Sequence, residues 1–291
     1  MPSKSPRHAA CLKAGIKPRS KAVSRIALCV EYDGSAYRGW QAQKSPQLPT
    51  VQEALEKALS RVADHPVRVL CAGRTDAGVH ASAQIVHFDT EARRPLQAWV
   101  KGGNAFLPGA VSVRWAKPVS LDFHARFSAL SRRYRYIVYN DAVRPALLRD
   151  LVTTHPFPLN HVSMAEAGQL LLGERDFTSY RAAACQSSTP MRHVRHLKVN
   201  RYGQYVVIDI EANAFLLHMV RNIAGVLLEI GEGRHQPQWA AEVLDRKDRS
   251  CAAATAPPQG LYLVQVLYPE HFHLPSEEPG PAFLQATMTG G

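Results

Sequence analysis

The alternation of apolar and polar positions predicts that the chain begins with a mixed series of strands and helices. A β-branched, apolar run ends at Asp33 and Gly34, which is typical of a strand followed by a turn. Thr50 and Glu53 have the spacing of a capping box, and apolar residues then recur at helical intervals. The predicted elements are a strand at 25–32, a helix at 51–62, strands at 65–70 and 83–90, a short helix near 96–104 and a strand at 111–115.

The second half of the chain has similar element types, although no sequence repeat accompanies them. Residues 215–231 are apolar almost all round, which indicates a buried helix. The other predicted elements are a strand at 131–140, a helix at 164–173 ending at a glycine, a hairpin of strands at 194–200 and 204–213, a helix at 239–244 and a strand at 261–268. The order of elements predicts an α+β fold with helices on one face of a sheet.

Charge and cysteine content narrow the setting in which the chain works. Residues 1–25 supply seven positive charges and no negative one, so the rest carries only +4 of the net +11. We interpret residues 1–24 as a disordered basic arm, with a transit peptide as the alternative, and we expect a disordered tail at 271–291. The five cysteines form no paired motif, which favours a reducing compartment. No apolar run is long enough to span a membrane, and His193 and His196 lack the neighbours of a metal site.

The stretch CAGRTDAGVH, residues 71–80, places Arg74 and Asp76 among small residues after a predicted strand. Small residues let a ligand or another backbone approach closely. Arg221, at the edge of the apolar helix, needs a carboxylate partner if it is buried, and Asp76 is the best candidate in the chain. An opposite charge favours the ionised form of an acid. The pair is therefore either an activated carboxylate or a structural bridge between two halves.

A run of arginines and tyrosines at 132–136 (RRYRY) lies in the predicted strand at 131–140. Alternation puts Tyr134 and Tyr136 on one face and Arg133 and Arg135 on the other. Aromatic rings can stack on bases while guanidinium groups meet phosphates, so the run is typical of a nucleic-acid groove. Further basic residues lie near it at Arg126, Arg144 and Arg149 and in a second cluster at Arg192, Arg195, Lys198 and Arg201. The alternative is a solvated basic edge strand with two core tyrosines.

Several kinds of chemistry are disfavoured by what the sequence lacks. The GRTDAG stretch has neither the lysine nor the spacing of a P-loop, and no G-x-S-x-G motif is present. Cys71 could in principle attack a pyrimidine, but it ends an apolar strand, which favours an inert buried thiol. A methyltransferase that uses Cys71 would need a glycine-rich cofactor loop after an early strand, and none is found.

The linked motifs of the chain resemble the tRNA pseudouridine synthase A family. The resemblance runs from about residue 25 to about residue 270, in family order, with Tyr37 standing where many relatives carry another aromatic residue. It is carried by YDGSAYRGWQAQ at 32–43, GRTDAGVHA at 73–81, FHARFSALSRRYRYIVYN at 123–140, DFTSY at 176–180 and FLLHMVRNIAGVLLEIG at 215–231.

The resemblance implies roles for four residues. Asp76 would be the catalytic aspartate and Arg221 its salt-bridge partner. Tyr134 would pack against the target base, and Arg74 would hold the RNA and the flipped nucleotide. The family isomerises uridines 38, 39 and 40 of the tRNA anticodon stem-loop, without a metal or an organic cofactor, as a homodimer. A cytoplasmic location and no membrane partner follow from the same resemblance.

The implied architecture is a pseudouridine synthase fold with two similar α/β subdomains, antiparallel or mixed sheets and a central catalytic cleft. Residues 25–122 would form the subdomain that carries Asp76, and residues 123–270 the one that carries Tyr134 and Arg221. Two other functions stay open: a pseudouridine synthase acting on another RNA, and a non-catalytic RNA-binding module on the same scaffold. The second is disfavoured because Asp76 would place a negative charge in a groove that binds an anion, for which a purely binding protein has little use.

Overall fold

The computed structural model describes residues 23–43 and 48–284. Residues 1–22 of the predicted basic arm lie outside this range, as do residues 285–291 of the predicted tail. The strands are β1 (Ser24–Tyr32), β2 (Leu70–Cys71), β3 (His80–Thr90), β4 (Val111–Val119), β5 (Ser131–Asn140), β6 (Thr153–His155), β7 (Gly173–Asp176), β8 (Met191–Tyr202), β9 (Tyr205–Ala212) and β10 (Leu261–Leu267). The α-helices are α1 (Val51–Ala63), α2 (Gly103–Phe106), α3 (His161–Gln169), α4 (Met219–Gly231) and α5 (Trp239–Arg246), with a π-helical turn at Ala98–Gly102 before α2.

One mixed sheet runs through the described part of the chain in the order β4-β1-β3-β10-β5-β9-β8-β7, with β2 paired to β3 and β6 to β5. The last strand, β10, lies between the two halves of the sequence. It pairs antiparallel with β5 and parallel with β3, where His80 and Ala81 face Tyr262 and Leu263. The predicted α+β class is confirmed. The halves are joined edge to edge, so loops from both of them reach one cleft.

The two faces of the sheet are covered by different parts of the chain. Side chains alternate across a strand, so Leu28 and Cys29 of β1 enter different cores. Leu28 lies in the large core beneath α1 and α4. Cys29 packs on the opposite face with Phe123 and Phe272, which come from segments that follow β4 and β10.

Some elements differ from the sequence prediction. The strand expected at 65–70 is reduced to β2, because Val67 and Val69 are buried by packing without joining a ladder. Helix α3 ends at Gln169 and is capped by Leu170, so Gly173, with φ of 86°, begins β7 instead of ending the helix. The helix expected from residue 215 begins at Met219, after a turn. The short strands β6 and β7 lie outside the predicted elements.

The expected disordered tail is wrong for residues 271–284. Its proline and glutamate content suggested disorder, but the segment packs against the sheet. Arg135 Nη1 donates hydrogen bonds to the carbonyl oxygens of Pro279 and Gly280 at 2.6 and 2.9 Å. Leu284 is fully buried in a small core with Ile137 and Tyr262. The segment therefore covers the sheet face opposite the helices.

Substituting Leu284→Ala is expected to lower the free energy of unfolding by about 2 kcal/mol or more, the usual cost of truncating a buried leucine. The matched control is Leu147→Ala, since Leu147 is 96% exposed. Urea unfolding of the two variants measures the difference. Equal, small changes in both would mean that the tail does not pack in solution.

Two buried histidines of β3 each accept a backbone hydrogen bond. His80 Nδ1 accepts from Gly34 N at 3.0 Å, and His87 Nδ1 accepts from Ala125 N at 3.1 Å. Burial lowers the pKa of His80, and it lowers the pKa of His87 from 6.5 to about 4. Both rings are therefore neutral at pH 7, and each ties β3 to a loop beside the cleft.

The lowered pKa of His87 predicts a pH-dependent contribution to stability. The unfolded chain takes up the proton first, so the contribution is complete above pH 6.5 and is lost as the pH falls from 6.5 toward 4. His87→Asn keeps an acceptor for Ala125 N but cannot titrate. We expect its unfolding free energy to fall less between pH 7 and pH 5 than that of the wild type, while His193→Asn, at an exposed position, behaves like the wild type. An identical pH profile for His87→Asn would contradict this.

Candidate active site

A cleft of about 920 Å³ opens where the two halves of the sheet meet. Most of its lining comes from four segments: residues 69–76 after α1, residues 124–134 leading into β5, residues 185–187 before β8, and residues 214–221 at the start of α4. Asp76, Tyr134, Arg74 and Arg221 all line it. The four candidate residues, far apart in sequence, are therefore brought to one cavity.

The loop that carries Asp76 is held by side chains of the sheet beneath it. Gln84 Nε2 donates to Gly73 O at 2.6 Å, and the Tyr32 hydroxyl lies 2.8 Å from Thr75 Oγ1. Thr75 O accepts from Trp40 N at 3.0 Å. A Cβ added at Gly39, where φ is 90°, would stand 2.8 Å from Thr75 O, so only glycine fits there. The loop is thus fixed before any ligand arrives.

The structure brings Asp76 and Arg221 together, as the sequence predicted. Asp76 Oδ2 lies 3.5 Å from Arg221 Nη1, and the two side chains are 28% and 13% exposed. Arg221 Nε donates a second hydrogen bond, of 2.8 Å, to Ala256 O. Because the guanidinium is held at two points, it fixes the carboxylate at the edge of open space.

His218 is a third member of this group, and the sequence analysis missed it. Its Nε2 lies 3.4 Å from Asp76 Oδ2, on the same oxygen that faces Arg221. The His218 backbone is left-handed, with φ of 61° and ψ of 6°, a conformation that costs a non-glycine residue about 1–2 kcal/mol. The strained turn before α4 directs the imidazole at Asp76. Strain of this kind is often found at functional sites.

Tyr134 forms one wall of the cleft. It is 8% exposed, and its ring meets the edge of Phe215 at a centroid distance of 5.0 Å. A Cβ added at Gly73 would stand 3.6 Å from the Tyr134 hydroxyl. Burial raises the pKa of this hydroxyl well above its usual value, so it is an uncharged phenol at neutral pH. The ring offers an apolar surface next to Asp76.

Arg74 is exposed at the mouth of the cleft, two residues before Asp76. Within residues 23–43 and 48–284 its guanidinium has no hydrogen bond or ion pair. A cation without a protein partner is available to a phosphate group.

The arginines of the RRYRY run are bonded within the protein, including Arg132, which lines the cleft, and this corrects the sequence interpretation of a nucleic-acid groove. Arg133 and Arg135 lie on the face opposite Tyr134 and bind Asp209 of β9, at 2.6 and 2.9 Å. Arg132 donates to backbone carbonyls, among them Ala72 O at 2.9 Å. These guanidinium groups therefore bind partners within the protein and are not available to a nucleic acid.

The second basic cluster is likewise dispersed. Arg192 lines the cleft but is 8% exposed and donates to Ser187 Oγ and to the carbonyl oxygen of Thr189. Arg201 donates to Asn140 Oδ1 and Leu159 O, away from the cleft. Arg195 and Lys198 are exposed but do not line the cleft, so the cluster places little free positive charge at the cleft itself.

Metal ligation, membrane spanning and thiol reactivity concern the described residues as follows. These residues contain no group of three or more potential metal ligands, and no helix among them has the length and apolarity to span a membrane. Burial raises the pKa of the Cys71 thiol to about 12, so it is a neutral thiol at pH 7 and a poor nucleophile.

The sequence of the chain matches a known family of isomerases. A family model described as tRNA pseudouridine synthase matches residues 28–128 and 167–269, and the chain belongs to this family. Proteins named tRNA pseudouridine synthase A are similar over most of their length. That of Legionella pneumophila (strain Lens) is 57% identical over 260 residues, covering 89% of this chain and 98% of its own. That of Klebsiella pneumoniae is 58% identical over 262 residues, covering 90% and 96%.

Substituting His218→Gly tests whether the strained histidine positions Asp76. Glycine relieves the left-handed strain, so the unfolding free energy should stay unchanged or rise by up to about 1 kcal/mol. Isomerase activity should fall about 10- to 100-fold, mainly in kcat, because the carboxylate is held less firmly. The measurements are steady-state kinetics and urea unfolding.

The matched control is Lys247→Gly, since Lys247 is also left-handed, with φ of 50°, and lies at the end of α5. It should show a similar change in stability with full activity. Full activity in His218→Gly would contradict the positioning role.

Proposed function

We propose that the protein converts uridines 38, 39 and 40 of the tRNA anticodon stem-loop to pseudouridine, with Asp76 as the catalytic carboxylate. The observation that carries the proposal is the geometry of Asp76. Its Oδ2 faces Arg221 and His218, whereas its Oδ1 has no hydrogen-bond partner among the described residues. One oxygen is anchored, and the other has no described partner on a side chain that lines the cleft.

A uridine in a stem or loop must leave its stack to reach this carboxylate, at a cost of a few kcal/mol. The cleft, at about 920 Å³, has room for a nucleotide. As the N1–C1′ bond breaks, Asp76 either forms an ester bond to C1′, which breaks again when C5 bonds to C1′, or removes a ribose proton, which it returns to the sugar at that stage. The detached uracil rotates, a C5–C1′ bond forms, and the C5 proton is removed while N1 gains a proton. Atoms are conserved, so an isomerisation requires no external reagent.

Tyr134 restrains the rotating base in this proposal. Its phenol is uncharged because burial raises its pKa, and a neutral phenol is a poor base. We therefore assign it to packing against the uracil instead of to removal of the C5 proton. Phe215, in edge contact with the ring, keeps the tyrosine in place.

Arg74 either contacts the RNA backbone or occupies the space that the extruded base has left. It is the exposed cation closest in sequence to Asp76, and its charge has no described protein partner. The net charge of +11 suits a polyanionic substrate. Action as a homodimer in the cytoplasm completes the proposal, supported by the family resemblance and by the widely spaced cysteines.

Replacing Asp76→Asn preserves the size of the side chain and removes its charge. We expect release of tritium from tRNA carrying 5-tritiated uridine to fall by at least about 10³-fold, the scale on which losing a nucleophile lowers kcat. Binding of tRNA, measured by filter retention, should persist. Turnover by Asp76→Asn would contradict the assignment.

The assay omits any methyl donor, because a uridine-5 methyltransferase also releases this tritium. Transcripts that carry cytidine at two of the positions 38, 39 and 40 report on each position separately. If the wild type binds these transcripts and releases no tritium from any of them, the substrate is another RNA.

A further inference from the structure

A turn at residues 123–130, named here the rim turn, holds an aromatic ring in solvent at the mouth of the cleft. Phe127 is 76% exposed, although Phe123 and Ala125 of the same turn are fully buried. The ring lines the same cleft as Asp76. An isolated exposed apolar residue needs no explanation by itself. What does need an explanation is that many hydrogen bonds hold the turn that carries Phe127 in one conformation.

Within the rim turn, the backbone groups are satisfied by neighbouring residues. His124 Nδ1 accepts from Arg126 N at 3.1 Å and from Phe127 N at 3.2 Å. Ser128 and His124 exchange two further bonds, from Ser128 N to His124 O and from His124 N to Ser128 Oγ, both of 2.9 Å. Burial lowers the pKa of His124, which favours the neutral ring that such acceptance requires.

Three side chains outside the rim turn fix it to the sheet. His87 Nδ1 accepts from Ala125 N at 3.1 Å, and the Tyr268 hydroxyl donates to Ala125 O at 2.5 Å. Arg132 Nη2 donates to Arg126 O at 2.6 Å and to Ala72 O at 2.9 Å. Because Ala72 begins the loop that carries Asp76, one guanidinium sets the rim turn relative to the catalytic loop.

The ring of Phe127 is supported on the protein side. His124 lies against it with a centroid distance of 4.4 Å and a tilt of 31°, and the Arg126 guanidinium is 5.6 Å from its centroid. Arg126 itself is exposed. The arrangement is a braced aromatic ring flanked by a cation, beside a site where a base must be extruded. Proteins that bind single-stranded nucleic acid combine these two features.

We propose that Phe127 stacks on the RNA base next to the target uridine and holds the stack open while the target occupies the cleft. This inference rests on the proposed function. Extrusion deprives the neighbouring base of its stacking partner, and a fixed ring replaces that partner without ordering a flexible side chain. An RNA base is favoured over a protein surface because Arg126 and Arg74, both exposed, flank the same mouth.

The test compares two tRNA transcripts with a single target uridine in the anticodon stem, one with the uridine paired and one with it opposite a mismatch. For Phe127→Ala, kcat/KM should fall about 10- to 100-fold on the paired RNA, the size expected from losing one stacked base. The loss should be several-fold smaller on the mismatched RNA, whose target is already easier to extrude. Phe127→Trp should retain wild-type rates on both.

The control is Phe157→Ala, since Phe157 is also well exposed, at 57%, but does not line the cleft. It should leave both rates unchanged. No loss in Phe127→Ala, or an equal loss on both RNAs, would overturn the proposal. Light scattering measures the oligomeric state of Phe127→Ala. A change in that state that accounts for the loss would overturn the proposal, because Phe127 would then contact a second copy of this chain. Inactivity of the wild type on both RNAs would instead refute the proposed function.

Discussion

The ion pair between Asp76 and Arg221 is the constraint on which the site depends. The two residues are separated by 145 positions and come from opposite halves of the sheet. A guanidinium that is only 13% exposed is costly unless its charge is balanced, and Asp76 balances the charge of Arg221 while Ala256 O accepts a hydrogen bond from its Nε. The pair can form only if β10 brings the two halves edge to edge. The ion pair at the site therefore forms together with the sheet.

Arg132 makes a second connection, of a different kind. Its guanidinium donates to the carbonyl oxygens of Ala72, Arg126, Ala129 and Asn213, which lie in two wall segments of the cleft and immediately before a third. Burial lowers the pKa of Arg132, and no carboxylate within residues 23–43 and 48–284 is paired with it. Carbonyl dipoles, which are fixed by the backbone, replace the solvation that the cation loses. The geometry of the cleft is thereby tied to a single side chain.

Local sequence signals predicted local structure well. Thr50 is confirmed as the N-cap of α1, with Glu53 N donating to Thr50 Oγ1 at 3.4 Å, while Glu53 Oε2 accepts from the Thr50 hydroxyl, at 2.7 Å, and not from the Thr50 backbone as in a full capping box. Buried charge also proved informative: the need of Arg221 for a carboxylate identified Asp76 before any geometry was known. Both inferences rely on the chemistry of one or two residues and need no knowledge of strand order.

What could not be predicted depends on register and on backbone torsion. Arg135 binds Asp209 because β5 and β9 pair those two positions, and no sequence pattern states that pairing. His218 lies inside a continuous apolar run, so periodicity could not reveal the left-handed residue that delays α4. Burial of Leu284 likewise depends on Ile137 and Tyr262 from distant strands.

The site must solve an electrostatic conflict, because a carboxylate repels the phosphates of the substrate that it is proposed to modify. The structure separates the two charges by position. Arg221 and His218 face one oxygen of Asp76 from inside the cleft, whereas Arg74 and Arg126 are exposed at its mouth. Phosphates are thus drawn to the rim and the negative charge of the acid is balanced within. A nucleobase, which is neutral, is the part of an RNA that can cross from the rim to the acid.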